Sequence, residues 1–248
     1  MNLPDRDAMT CTLPDGVPVV LAAIGPEDEH RIREGFRGLS ERSKYWRYFR
    51  ESAELTEADV AGLIGADQVS HVAWGARDPT REGEPGLGLA RLIRDAADPF
   101  SAELAVVVLD ASQKRGIGTL LLAAVALRAD ELGLRVIRAT ALPENDVLSH
   151  WLRGLGAAMT YDGQVCRFRL DVAALVGTPA PSPEETHPVS SEEAPRPTGR
   201  DRREKKKKDR KTAPAPVPVP MVSASASWFH QAVEELRPHF GREEARAS

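Results

Sequence analysis

Apolar and polar positions divide this chain into short elements whose period changes part-way along. Residues 17–24 form a brief apolar run, and Gly25-Pro26-Glu27-Asp28 after it sets proline and two acids where a helix begins. Residues 40–49 and 56–64 read as two more helices, the second with Thr56 as its cap and Asp59 three positions on. Residues 69–76, 86–94 and 103–109 are then three strands separated by loops rich in Asp, Pro and Gly, the pattern of an antiparallel meander. A helical period takes over from residue 116 to 132, where Leu120, Leu121, Ala124, Leu127 and Leu132 form most of one face and Gly133 ends it. Residues 136–141 are a strand, 144–155 a helix, and 159–161 with 165–170 a closing hairpin around Asp162-Gly163. The order βαααβββαβαββ packs most simply as an α+β domain with helices flanking a central mixed, mostly antiparallel sheet.

This patterning stops near residue 176. Ten of the chain's 19 prolines lie between 177 and 220, where Leu, Ile, Phe, Trp and Tyr are all absent. Such a stretch buries too little apolar surface to offset chain entropy, so residues 177–222 are expected to be a disordered linker, with 216–220 extended as polyproline II. The lysines at 205–208 sit within a basic stretch, 200–211, that reads either as solvated linker or as a contact for a polyanion. Residues 223–248 regain a helical pattern: with Ser227 as cap, Trp228, Phe229, Val233 and Leu236 share near-helical spacing before Pro238. An amphipathic helix on a long tether either folds back on its own domain or docks a protein partner, and the tether's length favours the partner. The expected organisation is a domain over 1–176, a linker and a docking helix.

Composition narrows the classes of function. The chain is 42% hydrophobic and 28% charged, with a net charge of -4, which gives no general affinity for nucleic acid or an acidic membrane. Its longest uninterrupted apolar run, residues 120–127, falls far short of the roughly 20 residues that span a bilayer, so neither membrane insertion nor secretion is expected. Cys11 and Cys166 make no disulfide framework and have no partners at metal-ligand spacing, which points to a reducing cytoplasm and no structural metal.

The chemistry concentrates where the period changes. Glu103-Leu104-Ala105-Val106-Val107-Val108-Leu109 runs into Asp110-Ala111-Ser112 and then into Gln113-Lys114-Arg115-Gly116-Ile117-Gly118-Thr119 at the mouth of the long helix. A strand that delivers a glycine loop to a helix start offers unpaired N–H groups at the positive end of a dipole, which suits a pyrophosphate. Gly116 and Gly118 lack a Cβ that would stand between phosphate and main chain, although a Gly-x-Gly at a helix start is also an ordinary turn. The loop lacks the Gly-Lys-Ser or Gly-Lys-Thr end of a nucleotide-hydrolysing loop, and Leu121 stands where the dinucleotide fingerprint needs a third glycine. Glu103 is a carboxylate in an apolar strand: desolvation there would raise its pKa toward a general base's range, and the alternative is a strand glutamate paired to Arg91.

The Gln-x-x-Gly-x-Gly loop, its strand and long helix, the exit at 141–145 and the helix end at 152–156 resemble the GNAT superfamily of acyl-CoA-dependent N-acetyltransferases over residues 17–171. Asp15-Gly16, the Ile24-Gly25-Pro26-Glu27-Asp28 segment, residues 39–49 and residues 102–108 are further similar to bacterial protein lysine acetyltransferases that modify acyl-CoA synthetases. The resemblance implies acetyl-CoA as co-substrate without a metal. It implies that the backbone of Val106 and Val108, the loop residues Gln113, Lys114, Arg115, Gly116, Ile117, Gly118 and Thr119, and Asn145 bind CoA, with helix capping the other reading of Asn145. Glu103 would take the proton from the attacking amine, most plausibly a lysine of a protein such as an acyl-CoA synthetase. A small-molecule amine as acceptor, or a non-catalytic acyl-CoA-sensing adaptor, are the alternatives. Many such enzymes place a tyrosine on the last helix to protonate the leaving thiolate; Leu152 occupies that position here. His71, His150 and Trp151 read as packing or surface residues. The cluster Tyr45, Trp46, Tyr48 and Phe49 reads as core before acceptor groove.

Overall fold

The computed structural model describes residues 8–81, 86–177 and 223–240, all of which belong to one compact unit. The expectations for the linker, its basic stretch and its polyproline run fall on residues 178–222, outside the described residues.

Local chemistry places the first helices. After β1 (Met9–Thr12) and β2 (Pro18–Ala23), Pro26 and Asp28 open a single turn, and Asp28 Oδ2 accepts from the Gly25 N–H at 3.0 Å before α1 (Glu29–Arg37) continues. Ser40 caps α2 (Glu41–Tyr48), its hydroxyl accepting from the Ser43 N–H. Thr56 and Asp59 form a reciprocal box at the start of α3 (Glu57–Ile64), with N–H donations of 3.1 and 3.0 Å satisfying both free amides.

Strands β3 (His71–Arg77), β4 (Gly88–Arg94) and β5 (Ser101–Val108) follow as an antiparallel meander. The long helix α4 (Ile117–Glu131) then crosses over to β6 (Val136–Ala141), which lies parallel to β5. Helix α5 (Asp146–Gly154), the hairpin β7 (Ala158–Tyr161) and β8 (Cys166–Asp171), the short α6 (Val172–Val176) and α7 (Ser223–Leu236) complete the chain. The sheet runs β1-β2-β3-β4-β5-β6-β8-β7, and every neighbouring pair except β5–β6 is antiparallel. This is the mixed, mostly antiparallel sheet read from the pattern, extended by two short elements, β1 and α6, that the pattern had not marked.

Helices cover both faces. On one side α1 and α3 close over Ile24 and Ala73. On the other, α4 lies along β3, β4 and β5, and residues 119–127 of it are all buried. A helix apolar on every side needs cover on every side, and its outer face is covered by α6 and α7.

The C-terminal helix therefore departs from expectation in two respects. It starts at Ser223, not after Ser227, and its apolar face is covered by its own domain, not left for a partner. Phe229, Ala232, Val233 and Leu236 are each at most 1% exposed. Glu235 Oε1 accepts from the Thr12 N–H at 3.4 Å, the Arg237 guanidinium donates to the Val176 carbonyl, and Phe240 lies 5.6 Å from Trp74 between ring centroids. Among the described residues no helix is long and apolar enough to cross a membrane.

Candidate functional site

The parallel pair β5–β6 shapes the site. Its register runs from Ser101↔Val136 to Leu104↔Ala139 and stops there, while β5 stays paired to β4 through Val108. Because backbone groups alternate sides along a strand, and the Leu109 N–H is taken by Leu87 across from β4, the N–H and C=O groups of Val106 and Val108 face the gap where β6 has left. A cleft of about 820 Å³ opens along that gap. Its floor is residues 103–108, one wall is the glycine loop with the start of α4, the second is α5, and Trp46, Arg47 and Phe49 of the α2 region close the mouth.

The loop gathers donors at one end. Lys114 and Gly116 both have positive φ, 61° and 98°. The first helical bond runs from the Leu120 N–H to the Gly116 carbonyl, so the amides of Ile117, Gly118 and Thr119 precede the ladder at the positive end of a 15-residue helix. Gln113, Lys114, Gly116, Gly118 and Thr119 line the cleft as expected. The other two loop residues turn away: Ile117 is 1% exposed in the core, and Arg115 Nε is paired with Asp15 at 2.8 Å. Ile117 can offer a ligand only its main chain here.

Several side chains hold this geometry. Gln113 Nε2 donates to the Val108 carbonyl at 3.1 Å, so that acceptor is already used and only the Val108 N–H remains toward the gap. Asp110 accepts from the Ser40 N–H, the Ser40 hydroxyl and the Ser43 hydroxyl at 2.9, 2.7 and 2.8 Å, fastening α2 to the end of β5. Partial burial works against that carboxylate, yet the serine donors outweigh it and keep its pKa below the ordinary value.

Gly116 has a packing role beside the one expected. A Cβ on Gly116 would meet the Trp228 indole nitrogen at 2.7 Å and Pro14 Cδ at 3.0 Å, so its bare side faces α7 and the β1–β2 turn. A Cβ on Gly118 would touch Val108 Cγ2 at an ordinary 3.6 Å. Gly118, like Val108, lines the cleft.

Glu103 lines the cleft and is exposed, not buried within its apolar strand. It makes no ion pair with Arg91 among the described residues. Its β4 partner is Ile93, while Arg91 faces Ala105. Asn145 also lines the cleft, 6% exposed, and its Oδ1 accepts from the Leu148 N–H at 3.1 Å, so capping α5 is one of its roles. Trp46 and Phe49 line the cleft, in keeping with the groove reading that the sequence ranked behind core packing, and His150 and Trp151, read as packing or surface residues, line it as well; Tyr48 instead packs edge-on against Phe36 at 5.8 Å. Trp46 lies near the end of α2 and Phe49, with φ 55°, caps it, and only the packing of α2 against β5 brings the two to the cleft. Leu152, in place of the expected tyrosine, is fully buried against the cleft wall.

No family model matches the chain. Acetyltransferase Pat of Mycolicibacterium smegmatis is 29% identical over 141 residues, covering 55% of this chain and 40% of that protein, so the chain spans about 40% of the length of this curated relative. The GNAT domain of S. lividans PAT superposes with a TM-score of 0.63 at 27% identity, over 68% of this chain and 99% of that one. At 17% identity, a spermidine N-acetyltransferase from Vibrio cholerae, solved with CoA and spermine, shares the fold with a TM-score of 0.50, covering 63% of this chain and 96% of its own. With one parallel pair that parts beside a glycine loop, and with the S. lividans domain superposing over 99% of its length, the chain has a GNAT fold and is similar to the Pat acetyltransferases.

Proposed function

We propose that this chain transfers the acetyl group of acetyl-CoA to the side-chain amine of a protein lysine. The observation that carries the reading is the gap between β5 and β6, with strand N–H and C=O groups free along it and helix-start amides at its end. The free groups of Val106 and the Val108 N–H suit the amides of a pantetheine arm laid down like an added strand, and the amides of residues 117–119 suit its pyrophosphate. Similarity to Pat, a named acetyltransferase, supports acetyl as the group moved.

A lysine is an ammonium at neutral pH, with a typical pKa near 10.4, and must shed a proton before its nitrogen can bond to the acyl carbon and displace the thiol. Glu103, open to solvent at the floor of the cleft, receives that proton directly or through a water. With Leu152 where a tyrosine was sought, water delivers the proton to the departing sulfur. An acyl-CoA synthetase is the acceptor class favoured by the entry-helix resemblance.

Two measurements test this. Incubation of the full chain with labelled acetyl-CoA and a lysate, read by mass spectrometry, should mark lysines on few proteins; label appearing only on small amines would replace the acceptor. Glu103→Gln should lower kcat about 100-fold or more while calorimetry finds acetyl-CoA affinity within about twofold. Equal loss of both would remove Glu103 from the role of base.

A further inference from the structure

A second cavity, of about 120 Å³, lies on the opposite side of the sheet from α4, beneath α1, α2 and α3. Its walls are largely apolar, yet they carry Arg31, Arg47, Arg77 and Arg91 against only Asp28 and Asp59. Both aspartates are engaged. Asp28 accepts from Arg31 at 3.2 Å and from the Gly25 N–H, and Asp59 accepts from the Thr56 hydroxyl and N–H at 2.6 and 3.0 Å. Among the described residues Arg47, Arg77 and Arg91 have no carboxylate at ion-pair distance, and the Nε of Arg91 is buried without a hydrogen-bond partner.

A guanidinium without an ion-pair partner beside apolar walls is costly, although Arg47 lies over the Tyr48 ring at 5.0 Å, and its planar fork is complementary to a carboxylate. Burial and the like charge of Arg91 both push the Arg47 pKa below its ordinary value, so Arg47 too would gain from an anion. Arg47 and Val107 line this cavity and the acyl cleft alike. Arg91 stands opposite Ala105, which makes it a diagonal cross-strand neighbour of Glu103 at about 7–8 Å between backbones.

We propose that this cavity receives a carboxylate of the acceptor, held by Arg91 and Arg47 beside the amine that is acetylated. The proposal rests on the acetyl-transfer reading and narrows its acceptor to one that carries an acid close to the reactive nitrogen. The acid is either an acidic side chain close to the target lysine or the carboxyl of a small amino acid.

The experiment uses the full chain with acetyl-CoA and two pairs of acceptors. One pair is a lysine peptide with Glu or Gln beside the lysine; the other is 6-aminohexanoate or its amide. In at least one pair the acid should exceed its amide by tenfold or more in kcat/KM, and the pair that does so identifies the source. Arg91→Gln should bring that ratio within about twofold of one, and Arg91→Lys should restore part of it. Ratios near one in both pairs, or a preference that survives in Arg91→Gln, would overturn the proposal. Calorimetry with succinate separates this from failure of the transfer reading. If no acceptor is acetylated, saturable heat that disappears in Arg91→Gln still supports the anion site, and its absence in the unmodified protein sinks it. Matching melting curves for the variants show that folding is not the cause.

Discussion

Gly116 joins two parts of the molecule through the absence of one carbon. Its φ of 98° is unfavourable for any residue with a Cβ, and the space a Cβ would take already holds the Trp228 indole and Pro14. Gly116→Ala therefore meets strain and overlap together. We expect a loss of about 1–3 kcal/mol of stability, with weaker acetyl-CoA binding because the loop must shift away from α7. Thermal unfolding and calorimetry check this, and an Ala variant equal to the parent in both would show that the loop and α7 adapt independently. At this scale the sequence was informative about residue types and less so about directions. It marked Gln113, Lys114, Gly116, Gly118 and Thr119 as ligand-binding residues, and all five line the cleft. It could not show that Arg115 turns to Asp15, or that Glu103 is exposed, because both depend on which neighbours the fold brings up.

At the scale of elements, α7 and β1 depend on each other. Cys11 of β1 is 2% exposed, and burial together with the nearby Glu235 of α7 pushes its thiol up to about 12. A thiolate is the reactive form, so Cys11 should react very slowly with a thiol reagent at pH 8. In a Cys166→Ser background, a chain ending at residue 177 should react at least tenfold faster, since removal of α7 takes away both the cover and the negative charge. Equal rates in the two chains would mean that α7 does not protect β1 in solution. The long helix α4 held a clue to this packing. Its run from 120 to 127 is apolar on every side, whereas a helix lying on a sheet needs only one apolar face.

Across the whole molecule, the docking of α7 is a balance of large opposing quantities. Burying Phe229, Val233 and Leu236, and the apolar face of α4 that they cover, favours docking, while the conformational entropy lost in ordering the 14 residues of α7 opposes it. Separate pieces would also lose the local concentration, on the order of millimolar, that a covalent tether supplies. A protease site placed near residue 200 tests this. After cleavage at low micromolar concentration, α7 should dissociate, the Cys11 thiol should become reactive, and the melting temperature should fall and depend on dilution. Cleavage without any of these changes would mean that the docked helix is held by its contacts alone.

The sequence by itself determined what local physics controls. Alternation set the strands, Thr56 with Asp59 set a helix start, and a strand followed by a glycine loop and a long helix marked where a phosphate-bearing ligand fits. Those signals act within a few residues and survive in any tertiary context. Tertiary structure alone decided the features that depend on distant neighbours: where β6 leaves β5, which arginines lie together beneath α2 and α3, and what covers the second face of α4. Tether length argued for a partner on α7, but the stronger requirement was to bury apolar surface on both helices, and one contact between them satisfies it.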